Sequence, residues 1–315
     1  MFEKIIANVG KFDTVIIHRH TNPDGDALGS QIGLAELIRD NFPGKTVYTV
    51  GDRSERFSFM EGSSPDEIPD SAYANAMAIV LDTAAKALVS DKRFEKAAYT
   101  ARIDHHIYCE TFTDDEVVDS SFESCCGMIA ELARESGLAF SKRSATAIFT
   151  GMVTDSGRFR YDATSARTFS LASLLMEQKI DTAELYRNLY SDDLVNVKRR
   201  ASFLQKITMY GDSAVAYMYN TEEEVKALGM DVFSVSRGMV NVMSDIRGID
   251  VWVNFTENEG RVICEIRSSK YNINPVAVKY GGGGHKKASG AEIPDRGTAM
   301  RMLEDLKAVT ESEDE

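Results

Sequence analysis

Short apolar runs alternate with amphipathic stretches along the first half of the chain. The runs at 14–17, 78–81 and 98–103 have the length of buried strands, and apolar positions between Leu28 and Ile38 recur near helical spacing. Strands that alternate with helices are typical of an α/β fold with a largely parallel sheet. The pattern also predicts helices over 125–136, 144–153, 164–178 and 182–190.

The second half of the chain has a different, strand-rich pattern. It opens with a helical stretch over 194–209 that has few strong core positions at its start. Thr221 to Glu224 has the form of a capping box and predicts a helix over 222–228. Strands are predicted over 214–219, 251–255 and 262–266. We therefore predict a first domain over 1–190, a linker helix over 191–208 and a smaller α/β domain over 209–315.

Composition narrows the class of protein. The chain has 315 residues, 43% of them apolar, which suits two domains with their own cores. Its four cysteines show no C-x-x-C spacing, so reduced thiols are expected. The absence of a recognisable signal peptide and of an apolar run of about 18 residues predicts a cytoplasmic protein without membrane contact. A net charge of −13 argues against binding of long nucleic acid, which needs many Lys and Arg contacts to phosphates.

Polar side chains follow each of the three strands predicted in the first half. His18 and His20 follow the first strand, Asp82 the second, and Asp104-His105-His106 the third. Ligands bind at the carboxyl ends of strands in open α/β sheets. A single histidine is usually a surface or core residue, but four of the five histidines lie beside aspartates at these strand ends. The sequence therefore predicts a ligand site at this edge of the sheet.

Aspartates in other segments extend this prediction to metal ions. Asp24 and Asp26 flank Gly25 in a tight loop, although Asp26 alone would also fit a helix N-cap. With Asp82 and Asp155 added, the converging carboxylates would repel one another unless cations neutralise them. Mixed imidazole and carboxylate ligation suits Mn²⁺, and also Zn²⁺ or Co²⁺. We predict two Mn²⁺ ions, with Co²⁺ or Mg²⁺ as substitutes.

These motifs together resemble a known family. The chain resembles the DHH phosphoesterase superfamily, in particular its branch of NrnA-like nanoRNases, which are bifunctional oligoribonucleases and 3′-phosphoadenosine-5′-phosphate (pAp) phosphatases. The resemblance covers nearly the whole chain in the same order. It is carried by His20-x-x-Pro23-Asp24-x-Asp26, Asp82, Asp104-His105-His106, Asp155 with Gly157, and Gly281 to His285.

The resemblance implies a role for each residue of the N-terminal motifs. His20, Asp24 and Asp82 would hold one metal ion. Asp26, Asp82, His105 and Asp155 would hold the second, so that Asp82 bridges the two. His106 would contact the scissile phosphate, and Asp104 would orient the histidines. His18 has no assured role in this scheme and is either a hydrogen-bond donor to the ligands or structural.

The resemblance also implies that the C-terminal, DHH-associated domain binds substrate. The expected contacts are Arg267, Ser268, Gly282, Gly283, Gly284 and His285, with Arg158 added from the first domain. Glycines would let backbone N–H groups approach a phosphate, although a flexible basic loop is the simpler reading. For Arg158 the simpler reading is a solvated surface residue. Glu265 lies two positions before Arg267 and is expected to face away from any phosphate.

The function implied is two-metal hydrolysis of short nucleotides in the cleft between the two domains. Two ions would lower the pKa of a water and stabilise charge on the phosphoryl oxygens. Substrates would be short oligoribonucleotides, linear dinucleotides such as pApA and pGpG, and pAp. The alternatives are a manganese inorganic pyrophosphatase, a RecJ-type single-strand exonuclease and a non-catalytic nucleotide sensor. The sequence leaves the physiological substrate and the oligomeric state open, with a homodimer as one alternative.

Overall fold

The apolar runs of the first half form a five-stranded sheet in the computed structural model, which describes residues 1–312. All neighbouring strands are parallel, in the order β2-β1-β3-β4-β5. The strands are β1 (Thr14–His18), β2 (Thr46–Thr49), β3 (Ala76–Leu81), β4 (Tyr99–Asp104) and β5 (Asp115–Val118). Every residue of β3 is buried, as expected for the centre of a parallel sheet.

Helices cover this sheet and complete the first of two units, Met1–Ser191. They are α1 (Glu3–Lys11), α2 (Gly25–Asn41), α3 (Cys125–Glu135), α4 (Lys142–Asp155), α5 (Ala166–Met176) and α6 (Thr182–Tyr190). Side chains of Ser124, Ser141, Ser165 and Asp181 cap the N-termini of α3, α4, α5 and α6. Short 3₁₀ segments follow in the loops at Asp70–Tyr73, Lys86–Leu88 and Lys92–Lys96.

The close packing of α2 against α4 positions part of the candidate site. A Cβ at Gly29 would lie 2.5 Å from the Ala147 carbonyl oxygen, and a Cβ at Gly151 would lie 3.0 Å from the Cα of Asp26. Only glycine lets the two helices approach this closely. Asp26, in the first turn of α2, is thereby held near the C-terminal turn of α4, where Asp155 lies.

The second unit begins at Asp192 and contains a six-stranded sheet in the order β10-β11-β9-β8-β7-β6. Its strands are β6 (Thr208–Met209), β7 (Val215–Asn220), β8 (Val251–Asn258), β9 (Arg261–Ser268), β10 (Gly283–His285) and β11 (Ala288–Ile293). Its helices are α7 (Leu194–Leu204), α8 (Glu222–Leu228), α9 (Val232–Met239), α10 (Asn274–Lys279) and α11 (Arg296–Ser312), with a 3₁₀ turn at Val240–Met243. Only β7 and β8 pair in parallel; the other pairs in this sheet are antiparallel.

The fold class predicted from the sequence is confirmed: a parallel α/β unit is followed by a smaller mixed α/β unit. The capping box at Thr221 and the helix after it are also as predicted. The helix predicted over 194–209 is wrong at its end, because α7 stops at Leu204 and Thr208–Met209 pairs with β7. Residues 313–315 of the predicted second domain lie outside the described residues. Within residues 1–312, no helix combines the length and the apolar character that a membrane span requires.

Candidate metal centre

The strands β1, β3 and β4 are neighbours in the sheet, and the predicted ligands His20, Asp82 and His105 follow their carboxyl ends. Among residues 1–312, three groups of His and Asp side chains place ligand atoms within 4.8 Å of one another. These groups are His20 with Asp24 and Asp82, Asp26 with His105 and Asp155, and Asp82 with His105 and His106. The structure thus brings together all six side chains predicted as metal ligands.

Asp82 belongs to two of the three groups. It directly follows β3 in the left-handed backbone region, with a φ of 50°, where aspartate is tolerated better than most residues. Its Oδ2 lies 3.5 Å from His20 Nε2, and its Oδ1 lies 3.5 Å from His105 Nε2. Oδ1 is buried and accepts no hydrogen bond from the described part of the chain. A buried carboxylate oxygen without a donor is unfavourable unless a cation satisfies it.

His20 and Asp24 lie in the loop between β1 and α2. Asp24 is the N-cap of α2, because its Oδ1 accepts hydrogen bonds of 3.0 Å from the N–H groups of Asp26 and Ala27. The alternative that Asp26 is the cap is therefore wrong. His20 Nε2 lies 3.8 Å from Asp24 Oδ1. Burial would lower the pKa of His20, but the carboxylates of Asp24 and Asp82 outweigh burial and raise that pKa to about 11.

Asp26 is buried in the first turn of α2, against the N-terminus of α3. Its carboxylate oxygens accept hydrogen bonds of 2.7 and 2.8 Å from the N–H groups of Cys125 and Cys126. Burial, followed by the charges of Asp82 and Asp155, nevertheless holds the pKa of Asp26 well above its usual value when no cation is present. Burial also raises the pKa of both thiols, so these cysteines offer backbone N–H groups and not thiolates.

His105 and Asp155 approach the site from β4 and α4. His105 Nε2 lies 3.4 Å from Asp155 Oδ2 and 3.7 Å from Asp26 Oδ2. The other ring nitrogen, Nδ1, lies 3.4 Å from the carbonyl oxygen of Phe122, a contact that orients the ring. Burial raises the pKa of Asp155 to about 6 against the opposing effect of His105. The Asp155 carboxylate is therefore harder to ionise than usual when no cation lies beside it.

Asp104 orients His106 and not His105. Its Oδ1 lies 2.7 Å from His106 Nδ1, and its Oδ2 accepts a hydrogen bond of 2.6 Å from Arg102 Nη2. Both Arg102 and Asp104 are fully buried. Burial would raise the pKa of Asp104, but His106 and Arg102 together lower it to about 2. The Asp104 hydrogen bond, in turn, raises the pKa of His106.

His18 is a core residue. Its ring packs against Tyr73 and Phe94, with centroid separations of 5.7 and 6.0 Å. Neither ring nitrogen forms a hydrogen bond with any residue from 1 to 312. Burial lowers the pKa of His18 to about 4, so the imidazole is neutral. Of the two roles left open for His18, the structure favours the structural one.

The donor set fits divalent cations. It combines imidazole nitrogens with carboxylate oxygens, which suits Mn²⁺, Zn²⁺ or Co²⁺ better than an all-oxygen shell would. Two further observations agree: the bare Oδ1 of Asp82 and the raised pKa of Asp26 both indicate charge that a cation would balance. The described residues therefore form groups that could hold metal, and Asp82 belongs to two of them.

In the second unit, Arg267 is held by Glu265. The two residues are two positions apart on β9 and share one face of the strand. Arg267 Nη2 lies 2.9 Å from Glu265 Oε2, and both side chains are less than one-fifth exposed. The prediction that Glu265 faces away is therefore wrong. An incoming phosphate would have to compete with Glu265 for the guanidinium.

The other predicted substrate contacts of the second unit differ in exposure. The hydroxyl of Ser268 donates to the Asp250 carbonyl and accepts from the N–H groups of Lys270 and Tyr271, so it is already used inside the protein. The glycines do not form a flexible loop: Gly283, Gly284 and His285 are the strand β10, paired with β11. The side chain of His285 is exposed at the end of this strand.

The spacing within this hairpin explains the need for glycine. A Cβ at Gly282 would lie 2.0 Å from the carbonyl oxygen of Gly290, and one at Gly284 would lie 2.6 Å from that of Ala288. The N–H of Gly282 donates to the Ala277 carbonyl, so it does not point freely to a ligand. Close backbone approach is thus a sufficient reason for two of these glycines.

Arg158 follows Asp155 by three residues and has a φ of 65°. Its guanidinium lies 4.8 Å from the centroid of the Tyr190 ring. The side chain is exposed. The sequence predicts Arg158 as a phosphate contact, and the stacking on Tyr190 is an additional feature of the structure.

The residues that form hydrogen bonds to Asp26 and Asp104 were not predicted from the sequence. Arg102 was not singled out, although an arginine inside a strand that is otherwise buried is a signal that a charge partner lies nearby. Cys125 and Cys126 were treated only as thiols, whereas their N–H groups hold Asp26. Ser124, a typical N-cap residue in front of a helical pattern, marked that helix N-terminus in the sequence.

Comparison with known proteins places this geometry in a family. Residues 14–152 match the model of the DHH family N-terminal domain, and residues 232–312 match that of the DHHA1 domain. The chain is 34% identical to the bifunctional oligoribonuclease and PAP phosphatase NrnA of Bacillus subtilis, over 98% of both proteins. It is 35% identical to the protein of the same name from Mycoplasma genitalium, over 94% of both.

A solved structure supports the fold. The crystal structure of an exopolyphosphatase-related protein from Bacteroides fragilis superposes with a TM-score of 0.83 and covers 98% of this chain and 97% of that one, at 24% identity. That structure bears on the fold alone. With the two domain matches and the relatives that align along nearly the whole chain, the protein belongs to the DHH family, as an NrnA-like member with a DHHA1 domain.

Proposed function

We propose that the protein is a metal-dependent phosphoesterase that cleaves short oligoribonucleotides and linear dinucleotides such as pApA and pGpG to mononucleotides, and converts pAp to AMP. The observation that carries the proposal is the convergence of three groups of His and Asp side chains. Asp82 and His105 each belong to two of these groups and so link all three. The names of the relatives, bifunctional oligoribonuclease and PAP phosphatase, support this choice of substrates.

In this proposal His20, Asp24 and Asp82 hold one ion, and Asp26, Asp82, His105 and Asp155 hold the other. Manganese is the preferred metal, with Co²⁺ or Mg²⁺ as substitutes. When bound, such ions lower the pKa of a water and neutralise charge on phosphoryl oxygens. The side chains contribute fixed positions: Asp24 is held as an N-cap, and Asp26 is held by two N–H groups of α3.

His106 is proposed to bind the scissile phosphate. Asp104 holds Nδ1 of this ring at 2.7 Å, which leaves Nε2 as the nitrogen that can donate to a phosphate oxygen. The raised pKa of His106 favours the imidazolium, which donates a stronger hydrogen bond than the neutral ring. Arg102 keeps Asp104 ionised and in place, so it acts on His106 through Asp104.

In the second unit, Arg267 and His285 are proposed to bind the terminal phosphate of the substrate, alongside the backbone of Gly283 and Gly284. A phosphate carries more charge than the Glu265 carboxylate and can take over the guanidinium of Arg267. The hydroxyl of Ser268 and the N–H of Gly282 are engaged within the protein, so we assign both residues to shaping this site.

The decisive experiment is a substrate survey. The protein is incubated with Mn²⁺ and, separately, with pAp, 5′-phosphorylated oligoribonucleotides of two to five residues, a labelled strand of twenty residues and inorganic pyrophosphate. We expect rapid hydrolysis of pAp and of the short oligoribonucleotides, with little cleavage of the long strand and of pyrophosphate. Preferential turnover of pyrophosphate would favour the pyrophosphatase alternative, and preferential turnover of the long strand would favour the exonuclease alternative.

Replacing His285 with alanine should raise KM for nucleotides about tenfold, because one charge-assisted hydrogen bond to phosphate is lost. Hydrolysis of bis(p-nitrophenyl) phosphate, which has no terminal phosphate, should change far less. His285→Asn retains a hydrogen-bond donor and should recover part of the loss. Steady-state kinetics with both substrates measures the effect. Equal losses on both substrates would place His285 in the chemistry and not in binding.

A further inference from the structure

The segment directly after Asp155 has an unusual backbone. Gly157, Arg158 and Phe159 are consecutive residues with φ values of 58°, 65° and 61°. For a residue with a Cβ, this left-handed conformation costs roughly 1–2 kcal/mol, and successive residues of this kind are rare. Two neighbouring non-glycine residues accept that cost here. Residues with such strain cluster at active sites, ligand clamps and switch regions.

Packing on one side of the turn holds this conformation. The ring of Phe159 lies between those of Phe149 and Phe169, with centroids 5.9 and 5.6 Å away. The N–H of Arg158 donates to the Val153 carbonyl over 2.8 Å. The turn is thus fixed by an aromatic anchor, and the side chain of Arg158 is directed away from it, toward solvent.

A tyrosine ring lies against the guanidinium that the turn presents, and two more tyrosines lie nearby. Arg158 lies 4.8 Å from the centroid of Tyr190, whose ring lies 5.7 Å from that of Tyr186. Tyr161 lies over Gly157, where a Cβ would come within 2.4 Å of its ring. Tyr161 is 58% exposed and Tyr190 is 39% exposed. Large aromatic side chains with this exposure beside an arginine are typical of surfaces that stack on nucleobases.

The guanidinium that stacks on Tyr190 has no acidic partner. Arg158 forms no ion pair with a carboxylate anywhere in residues 1–312. Burial raises the pKa of Tyr190, and the charge of Arg158 opposes that rise, so the guanidinium acts on the Tyr190 hydroxyl as well as on its ring. An arginine without a counterion is able to bind an anion such as a phosphate.

We propose that Arg158, Tyr161 and Tyr190 form a subsite for the nucleotide next to the one that is cleaved, in which the guanidinium of Arg158 binds its phosphate and Tyr161 stacks on its base. Arg158 lies three residues after the proposed metal ligand Asp155, so one short strand can reach both. Tyr190 already carries Arg158 on one face, which leaves the more exposed Tyr161 for the base. This inference rests on the proposed function and extends it to substrate length.

The proposed subsite predicts that binding depends on substrate length, which a metal centre alone does not predict. A nucleotide such as pAp has no second residue to place there, whereas a chain of two or more residues does. The three side chains should therefore contribute to the binding of oligonucleotides and not to that of pAp. Stacking of one base contributes about 1–3 kcal/mol, which corresponds to roughly five- to 150-fold in affinity.

The test uses two variants, Arg158→Gln and Tyr161→Leu, with Arg53→Gln as the control for the loss of an arginine charge. kcat/KM is measured for pAp and for oligoribonucleotides of two, three and five residues. We expect Arg158→Gln and Tyr161→Leu to lower kcat/KM for all three oligoribonucleotides about tenfold and for pAp much less. Arg53→Gln, whose side chain is exposed outside the cluster, should behave as wild type on all four.

A binding measurement separates this inference from the proposed function. Fluorescence anisotropy of a 3′-labelled pentaribonucleotide, with a chelator present to prevent turnover, should show the same loss of affinity in both variants. Losses that are equal for pAp and the pentaribonucleotide, or no loss at all, would overturn the subsite. If wild type hydrolyses none of the nucleotides, the proposed function fails, while anisotropy still decides whether Arg158 and Tyr161 bind an oligonucleotide.

Discussion

Replacing Asp82 with asparagine is expected to lower kcat by about a thousandfold or more while the fold is retained. Asp82 is shared by two of the three ligand groups, so the change removes a ligand that both proposed ions would use. Its Oδ1 accepts no hydrogen bond from residues 1–312, so the substitution removes no hydrogen bond to that oxygen. The loss should therefore exceed that for a ligand of one ion only, such as Asp24→Asn.

Asparagine is chosen so that backbone strain at position 82 does not contribute to the measured loss of activity or stability. Asp82 has a φ of 50°, which asparagine tolerates and alanine tolerates less well. Asp82→Ala should be equally inactive but somewhat less stable. Steady-state kinetics, thermal melting and calorimetric titration with Mn²⁺ give the three readouts, with the exposed Asp40→Asn as control. Near-normal turnover by Asp82→Asn with Mn²⁺ would refute the shared-ligand assignment.

The ligand positions were predictable because sheet topology turns sequence order into proximity. His20, Asp82 and His105 follow three apolar runs, and those runs become neighbouring parallel strands that end at one edge. Asp155 lies on a helix, and its approach depends on glycines that let α4 pack closely on α2. Its place was inferred through the family resemblance, since strand pattern alone says nothing about the spacing between two helices.

The contacts that hold the ligands in place were harder to predict from the sequence. The direction of a backbone N–H, such as those of Cys125 and Cys126 toward Asp26, depends on where α3 begins in space. Arg102 and Asp104 lie two positions apart on one strand, so their side chains share a face of the sheet. Their ion pair is therefore predictable once the strand is recognised. The same repeat puts Glu265 beside Arg267, and this is the rule that the expectation of an outward-facing Glu265 neglected.

The left-handed turn at 157–159 shows a different limit. Gly157 permits a positive φ, but nothing in the sequence indicates that Arg158 and Phe159 continue it. Their conformation is selected by packing of Phe159 between Phe149 and Phe169, a tertiary effect. The positions of the ligands after the strands were thus predictable from strand order. The backbone conformation of residues 157–159 was not, because tertiary packing selects it against the local preference.

Removing divalent metal is expected to abolish activity and to lower the melting temperature, by an amount that grows with pH. An acid whose pKa is higher in the folded state than in the unfolded chain loses stability as pH rises from the lower value to the higher one. Asp155 has an unfolded pKa of about 4 and a folded pKa of about 6 without cation. The metal-free protein should therefore lose stability from pH 4 to 6, and the raised pKa of Asp26 continues that loss at higher pH.

His20 acts in the opposite sense in the metal-free protein. Its pKa is raised to about 11, so its ion pairs with Asp24 and Asp82 stabilise the fold below about pH 6.5 and are lost as pH rises toward 11. A metal ion must displace this proton and those of Asp26 and Asp155. Binding should therefore release protons and tighten as pH rises.

Thermal melting with Mn²⁺ and with a chelator, at pH 5.5 and pH 8.5, measures this linkage. Metal at a thousandfold excess over its dissociation constant stabilises by about 4 kcal/mol, which corresponds to a rise of roughly 10 °C for a unit of this size. We expect the full rise at pH 8.5 and a much smaller one at pH 5.5, where protons compete for Asp26, Asp155 and His20. Asp82→Asn should show little rise at either pH. A stabilisation by Mn²⁺ that is equal at both pH values would mean that these three side chains do not release protons to the metal.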